Sequence, residues 1–275
     1  AYSAAAVKKI YYLKKRPFRN PLIVHYYNLE QLKKDVELNN YFFKLYKKFS
    51  PGPITFVLNK KKNSQLSNIA TAKLKTVAVR FPKNKTIRRI LKSLSFPLAI
   101  PSANKSTHIS PVIAKDVAQE FQNSLKIIIN GGSCKIGLES TVVDLTSKPR
   151  ILRPGFIGPK TISKVLKEKI TISHSSKIIK APGMFKKHYS PGIPMKLNQK
   201  KAKDDEAFIV FGKKYKKKKN IFNLSYKSNI NEAAKNLYRV LRLIKRKKYK
   251  MICVCTIPKV GIGLAINDRL NRAAR

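Results

Sequence analysis

The sequence predicts an α/β fold in two parts: a larger α/β domain over residues 1–170, a linker and lid over 171–195, and a small second α/β domain over 196–275. Three observations carry this. Short apolar runs alternate with stretches of helical length and period. A hydrophobic content of 43% in 275 residues supplies a buried core and excludes wholesale disorder. Residues 171–195 break the pattern with Pro and Gly and no sustained period. No run of about 18 apolar residues occurs, so a membrane span is not expected.

In chain order, residues 4–13 read as the end of a helix, and PLIVHYY, after a Lys/Arg/Pro loop, as a strand. Residues 29–49 have helical length and periodicity. Pro51-Gly52-Pro53 breaks the chain, and ITFVL follows as a short apolar strand. TVAVRF alternates as a strand, and residues 86–95 read as a helix with Thr86 as N-cap. FPLAI, KIIIN and STVVDL are further strands, with a helix over 111–121 between the first two. ILRPG is another strand and 161–168 a short helix. Beyond the linker, AFIVFG, a lysine run, a helix over 231–246, the strand MICVCTIP and a helix through Arg272 form the small domain.

Composition narrows the partners. The formal charge is +47, and no Asp or Glu occurs between Glu37 and Asp116. Lysine excess together with abundant Ile and Asn also fits a biased genome composition. Such a surface attracts polyanions at low salt, so nucleic acid or nucleotide is the expected partner class. The block KKYKKKKN at 213–220 reads as a solvated basic loop, or else as an RNA contact. Cys134, Cys253 and Cys255 give neither a disulfide framework nor a zinc pattern. The last two read as buried reduced thiols, which fits a cytoplasmic location. Four scattered histidines form no metal-ligand cluster, and the N-terminus lacks a signal-peptide layout.

Four segments offer chemistry. In LAIPSANKSTHISPVIAK an apolar run stops at Pro101, and short polar side chains follow. Hydroxyls and amides at a strand end, with free N–H groups and a helix start nearby, suit an anion; from this segment alone, a helix-capping loop with no ligand is the favoured reading. KKRPFRNPLIVH places Arg16, Arg19, Asn20 and His25 around a turn feeding a strand. TVAVR ends on Arg80, a guanidinium suited to carboxylate or phosphate. INGGSCKIGLESTVVD has paired glycines, which let a backbone approach a ligand, then Glu139, Ser140 and Thr141. Taken alone, Glu139 reads as a structural ion-pair partner. No G-x-x-x-x-G-K-[ST] or G-x-G-x-x-G loop is present. The residues themselves give a basic α/β protein with a polyanion or nucleotide site.

KKRPFRNPLIVH, FSPGPITFVL, TVAVRFP, PSANKSTHISP, INGGSCKIGLESTVVD and ILRPGFI stand in the order and at the spacings of the YrdC/YwlC family, which the sequence closely resembles. APGMFKKHYSP and GIGLAINDRLNRAA resemble the interdomain linker and C-terminal domain of its long members. The resemblance implies a YrdC-like twisted mixed sheet with helices, plus a small Rossmann-like C-terminal α/β domain. It implies L-threonylcarbamoyladenylate synthase activity: L-threonine, bicarbonate and ATP, with Mg2+, give threonylcarbamoyl-AMP and pyrophosphate for tRNA modification next to the anticodon. Implied partners are RNA or tRNA, double-stranded RNA included, and downstream threonylcarbamoyl-transfer proteins. A non-catalytic RNA-binding module of the same fold is the alternative.

Roles follow from the resemblance. Lys14, Arg16, Ser102 and Asn104 are the implied catalytic residues. Arg16, Asn20, Thr76, Ser102, Ser110, Arg153 and Tyr189 are implied for ATP, and His25, Arg80, Ile100 (through its backbone) and Ser140 for L-threonine. Lys15, Ile100 and Thr107 depart from the small residues usual there. Family members also begin with a strand and a P-T-E-T-V-Y-G-L-like loop, and this sequence starts just after it, which leads to an expectation of weak ATP binding with little product.

Overall fold

Strand runs rich in β-branched residues and buried through their centres belong in the middle of a sheet. ITFVLN and TVAVR are such runs, with core residues Phe56, Val57, Val77 and Val79 almost wholly buried. The computed structural model describes residues 1–173, 179–185, 187–247 and 249–275. Its strands are β1 (Ile23–His25), β2 (Ile54–Asn59), β3 (Thr76–Arg80), β4 (Leu98–Ala99), β5 (Thr141–Asp144), β6 (Arg150–Arg153), β7 (Thr171–Ile172), β8 (Met195–Lys196), β9 (Ala207–Val210), β10 (Ile221–Asn223) and β11 (Ile252–Val254). Its α-helices are α1 (Ala4–Leu13), α2 (Leu29–Lys33), α3 (Asn40–Phe49), α4 (Lys85–Lys92), α5 (Ala114–Phe121), α6 (Pro159–Leu166), α7 (Ile230–Arg246) and α8 (Gly263–Ala273).

Contacts divide the chain into two units, each interrupted in sequence. The first is Ala1–Ser102 with Ser140–Met184, the second Ala103–Glu139 with Phe185–Arg275. In the first, seven strands lie in the order β4-β1-β3-β2-β5-β6-β7. The pairs β1–β3, β2–β5 and β6–β7 are parallel; β1–β4, β2–β3 and β5–β6 are antiparallel. The mixed sheet expected for this part is therefore observed. Phe42 of α3 packs edge-on against Phe56 at 5.1 Å, within a core that includes Val24, Tyr26, Val79, Phe81, Val143 and Ile162. Burying each such side chain contributes about 1.5–3 kcal/mol.

The second unit has an all-parallel sheet in the order β10-β9-β11-β8. Helix α7 buries Ala233, Leu237, Leu241 and Ile244, which recur every three or four residues and so share one face. Asn229 caps it by accepting from the Asn231 and Glu232 N–H groups. Cys253 and Cys255 are buried free thiols, as expected, whereas Cys134 is exposed.

Several boundaries differ from the sequence expectation. Residues 29–49 form two helices, because buried Asp35 breaks the run by accepting from the Tyr2, Tyr26 and Ser64 hydroxyls. Asn39 then caps α3 by accepting from the Phe42 N–H. Asn84, not Thr86, caps α4. Helix α5 starts at Ala114 rather than Pro111, since the Asp116 carboxylate takes the Val112 and Ile113 N–H groups. KIIIN is not a strand: it has no ladder partner among the described residues, and Ile127 and Ile129 are 79% and 60% exposed. The linker expected over 171–195 lies partly outside the described residues, at 174–178 and 186. Among the described residues no helix is long and apolar enough to cross a membrane.

Candidate functional site

The register of the first sheet gathers polar residues at one of its ends. His25 ends β1 opposite Arg80, which ends the parallel β3. β2 runs antiparallel to β3, so its start, Ile54 and Thr55, comes to the same end. The start of β5 and the end of β6 follow, with Val142 opposite Arg153. Ser140, just before β5, pairs its hydroxyl with that of Thr55 at 2.7 Å, both side chains buried. Arg153 donates through Nε and Nη2 to the Ser140 carbonyl at 3.1 and 2.9 Å, through Nη2 to its Oγ at 3.0 Å, and through Nη1 to the Pro182 carbonyl. Arg153 thereby orients Ser140.

Arg80 is half-buried, and its Nε donates to the Gly52 carbonyl at 3.2 Å. A Cβ on Gly52 would collide with the Phe49 carbonyl oxygen, which is why Gly occupies that turn. Burial, reinforced by the Arg80 charge, lowers the His25 pKa to about 3 against an opposing bond to Ile23. The ring is therefore neutral. Its Nδ1 lies 3.2 Å from the Ile23 carbonyl, which can only accept, so Nδ1 carries the proton and Nε2 is left as an acceptor.

A second group in this unit joins residues far apart in sequence. Lys14 is buried, and its Nζ donates to the Ser102 carbonyl at 2.5 Å across 88 positions. Arg16 donates to the Asn20 carbonyl at 2.9 Å, to the Asn20 side-chain Oδ1 at 2.7 Å and to the Pro21 carbonyl at 2.7 Å. The Ile100 N–H extends the β1–β4 pairing by donating to the Ile23 carbonyl. Thr76 stands apart. It begins β3, opposite Asn59, four residues from Arg80 and so about 13 Å away along the strand.

The remaining candidates belong to the second unit. Asn104 donates to the Lys105 and His108 carbonyls and holds its loop. Ser110 donates to Glu139 at 2.6 Å, so its single hydroxyl proton is directed to a carboxylate. Glu139 also accepts from Tyr238 at 2.9 Å and from the wholly buried Arg269 at 2.9 Å. Burial alone would lower the Arg269 pKa, but Tyr189, Glu139, Tyr238 and Asp268 together raise it well above the usual guanidinium value. Tyr189 is buried beneath Arg269, 5.0 Å from the guanidinium carbon to the ring centre. Of the motif glycines, Gly132 faces open space, while Gly137 at φ +81° lies against the Lys235 backbone of α7, where a Cβ would come within 2.5 Å.

Thr55, Tyr238 and Arg269 had no assigned role from sequence. Thr55 carries one signal, a lone hydroxyl inside an apolar strand. The other two meet Glu139 across 99 and 130 positions, which no local pattern reveals.

A mixed sheet with a basic, hydroxyl-lined end and a neutral imidazole is an α/β arrangement able to receive anionic groups. Comparison with known proteins narrows this. Residues 1–155 match the family model described as "Telomere recombination", and residues 157–275 the model for the threonylcarbamoyl-AMP synthase C-terminal domain. Threonylcarbamoyl-AMP synthase of Pyrococcus abyssi is 35% identical over 98% of this chain and 84% of its own length. The Bacillus subtilis protein of the same name is 33% identical over 100% and 85%. The crystal structure of P. abyssi Sua5 complexed with L-threonine superposes with a TM-score of 0.90 at 33% identity, covering 100% of this chain and 86% of that one. The chain belongs to the threonylcarbamoyl-AMP synthase family.

Proposed function

We propose that the chain joins L-threonine, bicarbonate and ATP into threonylcarbamoyl-AMP, with the amino acid held at the polar end of the seven-stranded sheet. The carrying observation is the alignment of His25, Arg80 and the Thr55–Ser140 pair at that end. Arg80 takes the threonine carboxylate, a planar match that lysine lacks. His25, neutral down to about pH 3, accepts a hydrogen bond at Nε2 rather than removing a proton. Ser140, oriented by Arg153, and Thr55 supply hydroxyls.

The threonine nitrogen attacks the carbon of CO2 or bicarbonate, giving a carbamate and, from bicarbonate, water. A carbamate oxygen then attacks the α-phosphorus of ATP. The bond from that phosphorus to the bridging oxygen breaks, and pyrophosphate leaves with the electron pair. As the resemblance implies, we assign Lys14, Arg16, Asn20, Ser102, Asn104, Ser110 and Tyr189 to ATP. Cations and donors aimed at the phosphoryl oxygens stabilise the charge developing there, and holding both substrates lowers the entropic barrier. No covalent nucleophile is needed. Among the described residues no group of three or more His, Cys, Asp or Glu could hold a metal. We assign Mg2+ to the ATP phosphates, the oxygens it ordinarily takes, and route no step through it. We place the reaction in the cytoplasm, with the product passed to threonylcarbamoyl-transfer proteins acting on tRNA. The charge of +47 supports polyanion binding.

Pyrophosphate release from ATP should require both L-threonine and bicarbonate. Release that ignores threonine overturns this reading.

A further inference from the structure

Tyr189 is an unusual residue of the second unit. Its φ is +64°, a left-handed backbone that a bulky side chain rarely adopts, yet it is 1% exposed. Such strain persists only where the surroundings over-determine it. They do so here from both flanks. The His188 N–H donates to the Arg272 carbonyl at 3.1 Å, and the Ser190 N–H to the Thr107 carbonyl at 2.8 Å. The Tyr189 ring lies between the rings of His188, at 4.0 Å, and Tyr238, stacked at 5.8 Å, with the Arg269 guanidinium over it.

Arg269 and Arg272 both come from α8, and both are themselves fixed. Arg269 donates through Nε to Glu139 at 2.9 Å and through Nη1 to Asp268 at 2.6 Å. Arg272 donates through Nε to Asp268 at 3.0 Å and through Nη1 to the Phe185 carbonyl. The same Glu139 carboxylate takes Tyr238 and Ser110. One carboxylate thus ties together the cation above Tyr189, the phenol stacked on it and the hydroxyl of Ser110.

We infer that Arg269 is a positioning residue for the reaction: with Glu139 and Arg272 it forms a clamp from α8 that holds the His188–Tyr189 pair in its strained, buried conformation. This goes beyond the assignment of Tyr189 to ATP and rests on it. Preorganisation of this kind lowers the ordering cost that a tyrosine on a loose segment would incur at every turnover.

The test uses the whole chain. Arg269→Lys keeps a charge but loses the fork to Glu139 and Asp268; Arg272→Gln loses the bonds to Asp268 and Phe185 while both carboxylate partners of Arg269 stay in the chain. Amide hydrogen exchange at His188 and Ser190 should quicken at least tenfold in Arg269→Lys, and kcat should fall at least tenfold with little change in the KM for L-threonine. In the double variant with Tyr189→Ala, Arg269→Lys should add less than a twofold further loss. If Arg269→Lys does not fold, Arg272→Gln carries the same two readouts at smaller amplitude. Unchanged exchange, or losses that multiply with Tyr189→Ala, overturns the clamp. Full activity of Tyr189→Ala overturns the ATP assignment instead, while the exchange rates still decide whether the clamp exists.

Discussion

In the first unit Arg153 ends on the carbonyl and hydroxyl of Ser140, and Arg16 on the carbonyls of Asn20 and Pro21; in the second, Arg269 ends on Glu139 and Asp268. A neutral oxygen fixes a guanidinium without cancelling its charge. A carboxylate does both. The first arrangement suits a place where a substrate brings the negative charge, the second a place where the cation serves the fold. Loss of Arg153 should therefore act first on ligand binding, whereas loss of Arg269 should act on stability as well as on the Tyr189 clamp.

The largest effect that sharpens this comparison lies in the second unit. Glu139→Leu strips one of two carboxylates from a wholly buried guanidinium, and since Asp268 remains, the loss should approach but not exceed the roughly 3–5 kcal/mol of a fully broken buried pair. Urea denaturation should show that loss; a midpoint within error of the unaltered chain would break the distinction. Arg80→Lys in the first unit should behave oppositely. The urea midpoint should stay put, while threonine binding weakens by about 1–3 kcal/mol, the range for hydrogen bonds to charged groups. Calorimetric titration checks it, and an equal loss of ATP affinity would show that Arg80 does not read the carboxylate.

Acid supplies a third test. His25 has a folded pKa of about 3 and an ordinary unfolded value near 6.5, so between those pH values the unfolded chain binds the extra proton. Its contribution is present above about pH 6.5 and is lost as pH falls toward 3, at up to about 1.4 kcal/mol per pH unit. Burial raises Asp144, but Thr146 and Lys180 outweigh it and hold the carboxyl below its usual range, so its own contribution fades only in stronger acid. His25→Gln should flatten the stability profile between pH 6.5 and 5; an unchanged slope there would show the imidazole is not the group responsible. The smallest effect is Thr55→Val, which removes one hydroxyl from Ser140 while Arg153 still holds it. A loss on the order of 1 kcal/mol in threonine binding is expected, and an unaltered titration would make Thr55 a packing residue only.

What sequence could carry was local. TVAVR was legible by its alternation, ITFVL as an apolar run behind a Pro-Gly-Pro break, and Cys253 and Cys255 as buried by their place in an apolar run. KIIIN has the same local character and is no strand, since strand formation also needs a ladder partner that pattern does not supply. Polar residues at strand ends were legible one by one: His25, Arg80 and Ser140 each follow or precede an apolar run. Their assembly was not, because it depends on register between β1, β3, β2 and β5. Thr55 and Ser140 are 85 positions apart, and only the parallel β2–β5 pairing makes them neighbours.

The interrupted make-up of the second unit has a consequence for synthesis. Once Met184 has been made, every residue of the first unit exists, whereas residues 103–139 still await the segment that contains α7 and α8. Roughly 90 further residues at about 5–20 per second amount to several seconds or more in which Ile109 and Val112 have no core to enter. During that interval a nascent chain carries a finished body with an unfinished loop hanging from it. A chain halted at Met184 would carry residues 103–139 without the partners of Ile109 and Val112, an apolar segment that proteases and chaperones can recognise.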